Sequence, residues 1–268
     1  MENLDILTMV NRNEKNEILN LIQEDGKLKT LSLFAQLLDK RAYVTIDSNG
    51  NLKRKEGSMI LPIFAFFNDN EFLADSILKY ADLKERQILD KIERFSNIDM
   101  DKVKENLMKT MFNGNMDFAK KYGKELFLRD KEAFFNLLGS FVTIGNSDSL
   151  KGLFLVAFDK LMEECEYEGN VFYLLMAYIT KFRDNTSNYE NSQIGEYKPE
   201  DIKKMIIDKK EVLNSTLGLG ILANLRIVEK FNLPNRAKIL SKLAFEIENY
   251  QNLMPLSEEQ QQILELFL

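Results

Sequence analysis

Apolar residues recur every three or four positions along most of this chain, and this spacing constrains the fold more than any other feature. The pattern covers residues 14–38 and nearly everything after residue 69. Such spacing places apolar side chains on one face of an α-helix, and that face must pack against another element. Only 12 glycines and 4 prolines interrupt a chain of 268 residues. The sequence therefore predicts a mainly α fold.

The predicted helices after residue 69 follow one another with short polar breaks between them. Residues 115–145, which include Phe118 and Tyr122, and residues 146–182 each form the pattern of a helix pair, with lengths typical of helical repeats. We therefore predict stacked antiparallel helix pairs, either helical-repeat-like or an irregular bundle. The predicted helices span 70–81, 84–96, 99–112, 115–127, 130–144, 147–165, 169–183, 199–209, 211–231, 235–250 and 257–268.

A different pattern follows the first predicted helices. Residues 42–46 are β-prone, residues 47–51 are turn-prone, and residues 52–55 continue the pattern of a hairpin. This predicts a small N-terminal β-hairpin unit near residues 42–66. Residues 59–67 are almost entirely apolar. We interpret them as a candidate third strand that would lie at an edge, because Pro62 cannot donate a ladder hydrogen bond.

Composition also indicates where the chain divides. Residues 184–198 are polar and turn-rich, which is typical of a loop or linker. We therefore predict N-terminal helices with the hairpin unit at 1–68, a helical stack at 69–183, the loop or linker at 184–198, and a C-terminal helical segment packed on the stack at 199–268.

Several helix starts are marked by residues that cap helices. Asp69 and Ser147 carry oxygen side chains that can accept hydrogen bonds from the first N–H groups of a helix. Pro199 fits the first turn of another helix, where its missing N–H costs nothing. Ser257 followed by Gln260 is a capping-box pattern, which predicts the start of the last helix.

The residue types that are missing narrow the chemistry. The chain has no histidine and one cysteine, Cys165. These counts exclude Ser-His-Asp triads, Cys-His pairs and histidine-ligated metal sites, as well as an internal disulfide. With 36 basic and 42 acidic side chains the net charge is −6, so no global attraction to nucleic acid is expected. We predict no cofactor, no metal and no nucleic-acid partner.

No apolar run reaches the roughly 18 residues needed to cross a membrane. The N-terminal residues also lack the basic start and apolar run of a secretory signal. We therefore expect no membrane association and a cytoplasmic location.

Three motifs resemble known sites, and each has a structural interpretation that we prefer. Gly218, Gly220 and Ala223 match the G-x-G-x-x-A dinucleotide pattern, but no buried strand precedes them, so we interpret the glycines as positions of close helix packing or a kink. Residues 47–51 place oxygen side chains as calcium loops do, but the glycine spacing favours a hairpin turn. The acids of residues 163–168 surround the lone cysteine, and nearby carboxylates make a thiol less reactive. We therefore interpret this stretch as a hydrated acidic surface.

One helix carries residue types that are enriched at contact surfaces. Tyr173, Tyr178, Lys181 and Arg183 share the predicted helix 169–183, and such a mixture suits the wall of a groove, although packing alone would explain it too. We take these four residues as the candidate partner-binding set.

The leading hypothesis is a non-enzymatic protein–protein interaction module or helical scaffold that holds a protein or peptide partner. The alternative is a histidine-free enzyme or small-ligand-binding protein, which would use carboxylates and tyrosines in a pocket between the N-terminal unit and the helices. A third hypothesis is homo-oligomerisation through the C-terminal helix, whose last residues are apolar: Leu264, Leu266, Phe267 and Leu268.

Overall fold

A computed structural model describes residues 6–39, 43–46, 52–55, 57–81, 96–163, 167–181 and 185–268. These residues are mainly helical, which confirms the predicted mainly α class, whereas the stacking of the helices as antiparallel pairs stays a prediction. The α-helices among them are α1 (Ile6–Asn11), α2 (Lys15–Asp25), α3 (Lys27–Phe34), α4 (Ile60–Phe66), α5 (Asn70–Tyr80), α6 (Met100–Phe112), α7 (Met116–Arg129), α8 (Lys131–Ile144), α9 (Lys151–Leu161), α10 (Gly169–Lys181), α11 (Ser187–Asn191), α12 (Pro199–Asp208), α13 (Lys210–Leu213), α14 (Thr216–Lys230), α15 (Arg236–Glu248) and α16 (Glu258–Phe267).

Two short strands lie between α3 and α4. Strands β1 (Tyr43–Ile46) and β2 (Leu52–Lys55) pair antiparallel, with Tyr43 opposite Lys55 and Ile46 opposite Leu52. The predicted turn at residues 47–51 lies outside the described residues, as does most of the predicted helix 84–96.

The chain forms two compact units, each built from separate stretches of sequence. The first unit comprises Met1–Arg94 and Lys160–Ala177, and the second comprises Phe95–Asp159 and Tyr178–Leu268. The four predicted segments, which are continuous in sequence, stay predictions.

The first unit is held together by packing of its short helices. Helix α2 packs on α3 and α5, and α4 packs on α3 and α5. Full burial of large apolar side chains supplies most of the stabilisation, at roughly 1.5–3 kcal/mol for each. These side chains include Ile18, Leu31, Phe34, Leu61, Phe64, Leu73 and Ile77.

The second unit contains a cluster of aromatic rings and one largely buried helix. Phe127, Phe134 and Phe135 of α7 and α8 meet Phe158 of α9 with ring centroids 5.2–6.4 Å apart. Most of these pairs have the edge-to-face geometry that aromatic quadrupoles favour. Helix α14 packs against α8, α12, α13, α15 and α16, so most of its length is buried.

The interpretation of residues 59–67 as a strand is wrong, because residues 60–66 form α4. Pro62 is the third residue of this helix, where its missing N–H is not needed by the first turn. Ile60, Leu61 and Phe64 are all buried. An element buried on every side is apolar throughout, so neither the helical nor the strand period is visible in its sequence.

Helix starts were predicted correctly where the cap is local. The side chain of Asp69 accepts hydrogen bonds at the start of α5, Pro199 opens α12, and Ser257 forms the predicted capping box with Gln260. The prediction for Ser147 is wrong, because residues 147–149 form a 3₁₀ turn and the α-helix begins at Lys151.

The predicted helix 211–231 is broken in the structure. Helices α13 and α14 are separated at Asn214 and Ser215, and the Ser215 hydroxyl caps α14 by accepting a hydrogen bond from the N–H of Gly218 at 3.2 Å. The continuous apolar spacing concealed this break. A serine cap inside an apolar pattern was the signal that could have indicated it.

The predicted loop or linker contains the short helix α11 and packs on α15. The amide of Asn235 donates to the Tyr189 hydroxyl at 3.1 Å, and the N–H of Gly195 donates to the Ser241 hydroxyl at 2.9 Å. These bonds attach Tyr189 and Gly195 of the segment to the start and the middle of α15 in the second unit.

The C-terminal helix docks on its own chain. Ile263 and Leu264 of α16 are buried, whereas Leu266 is about half exposed. The guanidinium of Arg226 in α14 lies 3.6 Å from the ring centroid of Phe267 and donates to the Leu266 carbonyl. Homo-oligomerisation through this helix stays a prediction. In the part of the chain that the structure describes, no helix is both long enough and apolar enough to cross a membrane.

Candidate functional site

The predicted partner-binding residues are divided between the two units. The Tyr173 hydroxyl donates to the carboxylate of Asp39 at 2.6 Å in the first unit. Tyr178, in the second unit, stacks on Phe154 with ring centroids 3.5 Å apart and donates to a backbone carbonyl. Lys181 is the last residue of α10. Arg183 lies outside the described residues. Both tyrosine hydroxyls are therefore hydrogen-bonded within their own units, and a partner-binding role for this set stays a prediction.

A buried polar cluster lies in the second unit and consists of Ser147, Asn224, Lys242 and Glu246, which we call the Ser147 cluster. The Lys242 ammonium is fully buried and lies 3.0 Å from the Glu246 carboxylate. Ser147 donates to this carboxylate from its hydroxyl at 2.6 Å and from its backbone N–H at 3.1 Å. Its hydroxyl accepts from Lys242 at 3.0 Å and from Asn224 at 2.9 Å.

The hydroxyl of Ser147 has no bonding capacity left for a substrate. A hydroxyl offers one donor and two acceptor sites, and all three are used in the Ser147 cluster. A serine near a lysine is also found in nucleophilic catalysis. Here the ammonium is paired with a carboxylate, and Ser147 and Lys242 are both buried. The cluster therefore holds helices together rather than presenting a nucleophile.

The Ser147 cluster also stabilises a strained turn. Leu150, directly after the 3₁₀ turn, has φ +57°, in the left-handed region that large apolar residues rarely adopt. Such a conformation persists only where the surroundings fix it. The two hydrogen bonds from Ser147 to Glu246 fix one end of this turn.

The glycines of the G-x-G-x-x-A pattern allow close packing, as predicted. A Cβ at Gly220 would overlap the backbone carbonyl of Ser147, and a Cβ at Gly218 would overlap carbonyls of α13. Gly152 plays the same part from α9, since a Cβ there would overlap the side chain of Asn224. Gly220 and Gly152 therefore allow α14 and α9 to lie close to residues of the Ser147 cluster, and Gly218 allows α14 to lie close to α13.

A shallow cavity of about 330 Å³ lies in the first unit, at the junction of α2 and α3. Its lining includes two carboxylates, Asp25 and Glu168, and one tyrosine, Tyr167. Asp25 is paired with Lys29 at 2.5 Å, and Glu168 accepts from the Ser32 hydroxyl at 2.5 Å. Both carboxylates are thus engaged within the protein. Among the described residues, no group of three or more acidic or cysteine side chains is placed to hold a metal ion.

An exposed aromatic surface lies where α6 turns into α7, and we call Phe112, Phe118, Lys121 and Tyr122 the α6–α7 tip. Phe112 ends α6 and is 51% exposed, and Phe118 in the first turns of α7 is 48% exposed. Phe118 stacks on Tyr122 with ring centroids 6.4 Å apart, and the Lys121 ammonium lies 5.3 Å from the Phe118 ring.

The α6–α7 tip is held in place from below. Val103, Leu107 and Met111 of α6 are buried, and α6 packs along α7. The Phe112 ring meets the buried Phe141 ring edge-on, with centroids 4.9 Å apart. The side chain of Asn115 accepts from an N–H of α7 at 3.4 Å and so caps the helix. The helices that carry the exposed rings are therefore held in place by buried contacts.

The surroundings of the α6–α7 tip are basic in an acidic protein. Residues 109–124 contain four lysines and one acid, Asp117, whereas the whole chain carries a net charge of −6. Asp117 is paired with Lys120 at 3.7 Å. This part of the surface therefore carries an excess of positive charge.

The same face of α7 already binds a non-helical segment of the chain. Arg129 donates to the backbone carbonyls of Ser96 and Ile98, the second at 2.8 Å. Glu125 accepts from the Ser96 N–H at 3.1 Å and from its hydroxyl at 2.6 Å. Helical spacing places Phe118, Glu125 and Arg129 on one face of α7, with Phe118 in the N-terminal (upper) half of the helix and Glu125 and Arg129 in its C-terminal (lower) half.

Sequence reasoning did not single out the α6–α7 tip, because Phe118 and Tyr122 were counted among the apolar residues of a helix pair. Assigning each apolar residue of α6 to the buried or the exposed face of the helix could have identified the tip. The buried positions of α6 recur at Val103, Leu107 and Met111, so Phe112 falls off that face. An apolar residue off the buried face of a helix is the signal.

No protein-family model, curated protein or solved structure matches this chain.

Proposed function

We propose that this protein is a non-enzymatic protein–protein interaction module, in which stacked antiparallel helix pairs hold a surface that binds a protein or peptide partner. The observation that carries the proposal is the α6–α7 tip, where two phenylalanines are about half exposed on either side of a three-residue turn. The predicted helical scaffold supplies the support for this surface.

The tip has the composition of a binding surface. Single exposed apolar residues are common on proteins and need no explanation. Here Phe112 and Phe118 flank one turn, and Phe118 also stacks on Tyr122. Aromatic residues are enriched where proteins meet, and they supply much of the binding free energy when a partner covers them.

The tip is also arranged before any partner arrives. Phe112 rests on Phe141, and Phe118 is flanked by Tyr122 and Lys121. A surface that is already ordered loses less side-chain entropy on binding, so more of the contact energy appears as affinity. This favours recognition of a partner by a fixed helical hairpin.

Site-specific photo-crosslinking tests the proposal. A photoreactive benzoylphenylalanine at position 118 keeps an aromatic ring there and captures whatever protein covers it in native cell extract. The matched control places the same group at position 207, because Ile207 of α12 is 54% exposed in the same unit. We expect a protein adduct at position 118 that is absent at position 207.

The captured protein is then purified and its affinity for the full chain is measured. The variant Phe118→Ala should weaken binding by about tenfold or more, as truncation of a central aromatic contact does. The variant Ile207→Ala should bind like the wild type. Absence of a protein adduct at position 118, or identical adducts at both positions, would overturn the proposal.

A further inference from the structure

We infer that the α6–α7 tip selects an acidic segment of its partner, one in which carboxylates flank an apolar anchor side chain. This inference rests on the proposed function and names the chemistry of the partner. It follows from the charge around the tip, from the spacing of lysines and phenylalanines, and from the segment already bound to α7.

The charge near the tip is opposite to that of the whole protein. Residues 109–124 contain four lysines and one aspartate, Asp117, which pairs with Lys120, so this segment has a formal charge of 4 − 1 = +3 within a chain of net charge −6. An acidic segment is repelled by the protein as a whole and attracted at this surface. Complementary charge of this kind steers the encounter and suppresses wrong partners.

Each phenylalanine of the α6–α7 tip has a lysine three residues away on the same helix. Lys109 precedes Phe112 in the last turn of α6, and Lys121 follows Phe118 in α7. Residues three apart are neighbours on a helix surface. A carboxylate that pairs with Lys121 would therefore place the adjacent residue of the partner against the Phe118 ring.

The lower half of the same face shows how a non-helical segment is held there. Arg129 and Glu125 bind the backbone carbonyls and N–H of residues 96–98, as described above. The upper half carries Phe118 and Tyr122 in place of these charged groups. An incoming segment that crosses the upper half would thus be recognised through its side chains, one apolar and the neighbouring ones acidic.

Selection from a phage-displayed library of random peptides tests this chemistry, with the immobilised full chain as bait. We expect the selected peptides to be enriched in aspartate and glutamate around an aromatic or aliphatic residue. Replacing their acids with the corresponding amides should weaken binding about tenfold, and raising the salt concentration should weaken it further.

Matched variants locate the binding site. Charge reversal by Lys121→Glu should weaken binding of the selected peptides about tenfold, and Phe118→Ala should weaken it at least as much. The controls lie on α12, where Lys204 and Ile207 repeat the same spacing of an exposed lysine and an exposed apolar residue. Lys204→Glu and Ile207→Ala should leave binding unchanged.

The outcomes separate this inference from the proposed function. Peptides that are neutral or basic, or that bind the tip variants as well as the wild type, would overturn the inference, as would an empty selection. Tighter binding of a single-stranded oligonucleotide at the tip would also overturn it, since lysines beside aromatic rings suit stacked bases too. If a protein is still captured at position 118 in any of these cases, the proposed function stands and only the acidic specificity fails.

Discussion

The second unit contains lysines in two opposite situations, inside the Ser147 cluster and around the α6–α7 tip. Lys242 is fully buried and bonded to Glu246 and Ser147. Lys121 is exposed and lies over the ring of Phe118. In the interior the Ser147 hydroxyl donates to Glu246 and accepts from Lys242 and Asn224, whereas at the tip a charged group and aromatic rings face the solvent.

The difference teaches where function should be sought in this fold. Buried charges are stable only when they are paired and hydrogen-bonded, so they respond to the loss of a partner. Exposed charges next to aromatic rings cost little to leave unpaired and remain available to a partner. Perturbing the Ser147 cluster should therefore change stability, and perturbing the tip should change binding alone.

The largest effect is expected from Glu246→Ala, which leaves the Lys242 ammonium buried without its carboxylate. Removing one partner of a buried ion pair costs about 3–5 kcal/mol of the free energy of unfolding. Urea unfolding followed by circular dichroism measures this loss. The double variant Lys242→Met with Glu246→Leu should recover much of it, because no buried charge remains. A single variant that unfolds at the wild-type urea concentration would contradict the buried-pair account.

Two phenylalanines of α7, one buried and one exposed, allow the same comparison of stability within a single helix. Phe127 is 3% exposed and sits in the ring cluster, so Phe127→Ala should cost about 3–5 kcal/mol. Phe118→Ala, on the same helix, should change the free energy of unfolding by less than about 0.5 kcal/mol. Thermal unfolding of both variants tests this contrast. A large loss in Phe118→Ala would show that the tip supports the fold and would remove it as a binding surface.

The same contrast explains how much the sequence could predict. The starts of α5, α12 and α16 were correct because Asp69, Pro199 and Ser257 act on their own helices. Ser147 failed because its hydroxyl is used by Lys242, Asn224 and Glu246, which are about 77–99 residues away in sequence. No local pattern reports bonds of that separation.

The candidate site was missed for a related reason. Hydrophobic spacing indicates which face of a helix is apolar, and it predicted that Phe118 packs within a helix pair. Which neighbour covers each apolar face depends on tertiary packing. Phe127 is covered by Phe134 and Phe158, whereas Phe118, in the first turn of α7, is about half exposed.

The next largest loss of stability is expected when a glycine at a close helix contact is replaced by alanine. In Gly220→Ala the new methyl group would overlap the Ser147 carbonyl, and backbone cannot move aside as a side chain can. We expect a loss of about 1–3 kcal/mol or more in the free energy of unfolding. Gly139→Ala is the matched control, because its methyl group would meet only side-chain atoms of Leu233 and Ile227, at 2.9–3.0 Å. Equal losses in the two variants would contradict close backbone packing at Gly220.

The smallest effect is expected from an ion pair of the same chemistry on the surface. Lys15 lies 2.8 Å from Asp75 in the first unit, with side chains 33% and 57% exposed. The hydrogen bond to Asp75 raises the pKa of Lys15 above its ordinary value of 10.5. The pair therefore stabilises the folded protein below the ordinary lysine pKa, and this contribution is lost as pH rises through the raised pKa.

Asp75→Asn should lower the pKa of Lys15 toward its ordinary value and leave the urea midpoint at neutral pH almost unchanged. Solvent already stabilises both charges of an exposed pair, so little is lost when one is removed. A lysine side-chain NMR titration measures the pKa, and urea unfolding measures the midpoint. A midpoint shift as large as that of Glu246→Ala would show that burial is not what distinguishes the two pairs, since the Lys–carboxylate distances, 2.8 and 3.0 Å, are nearly the same.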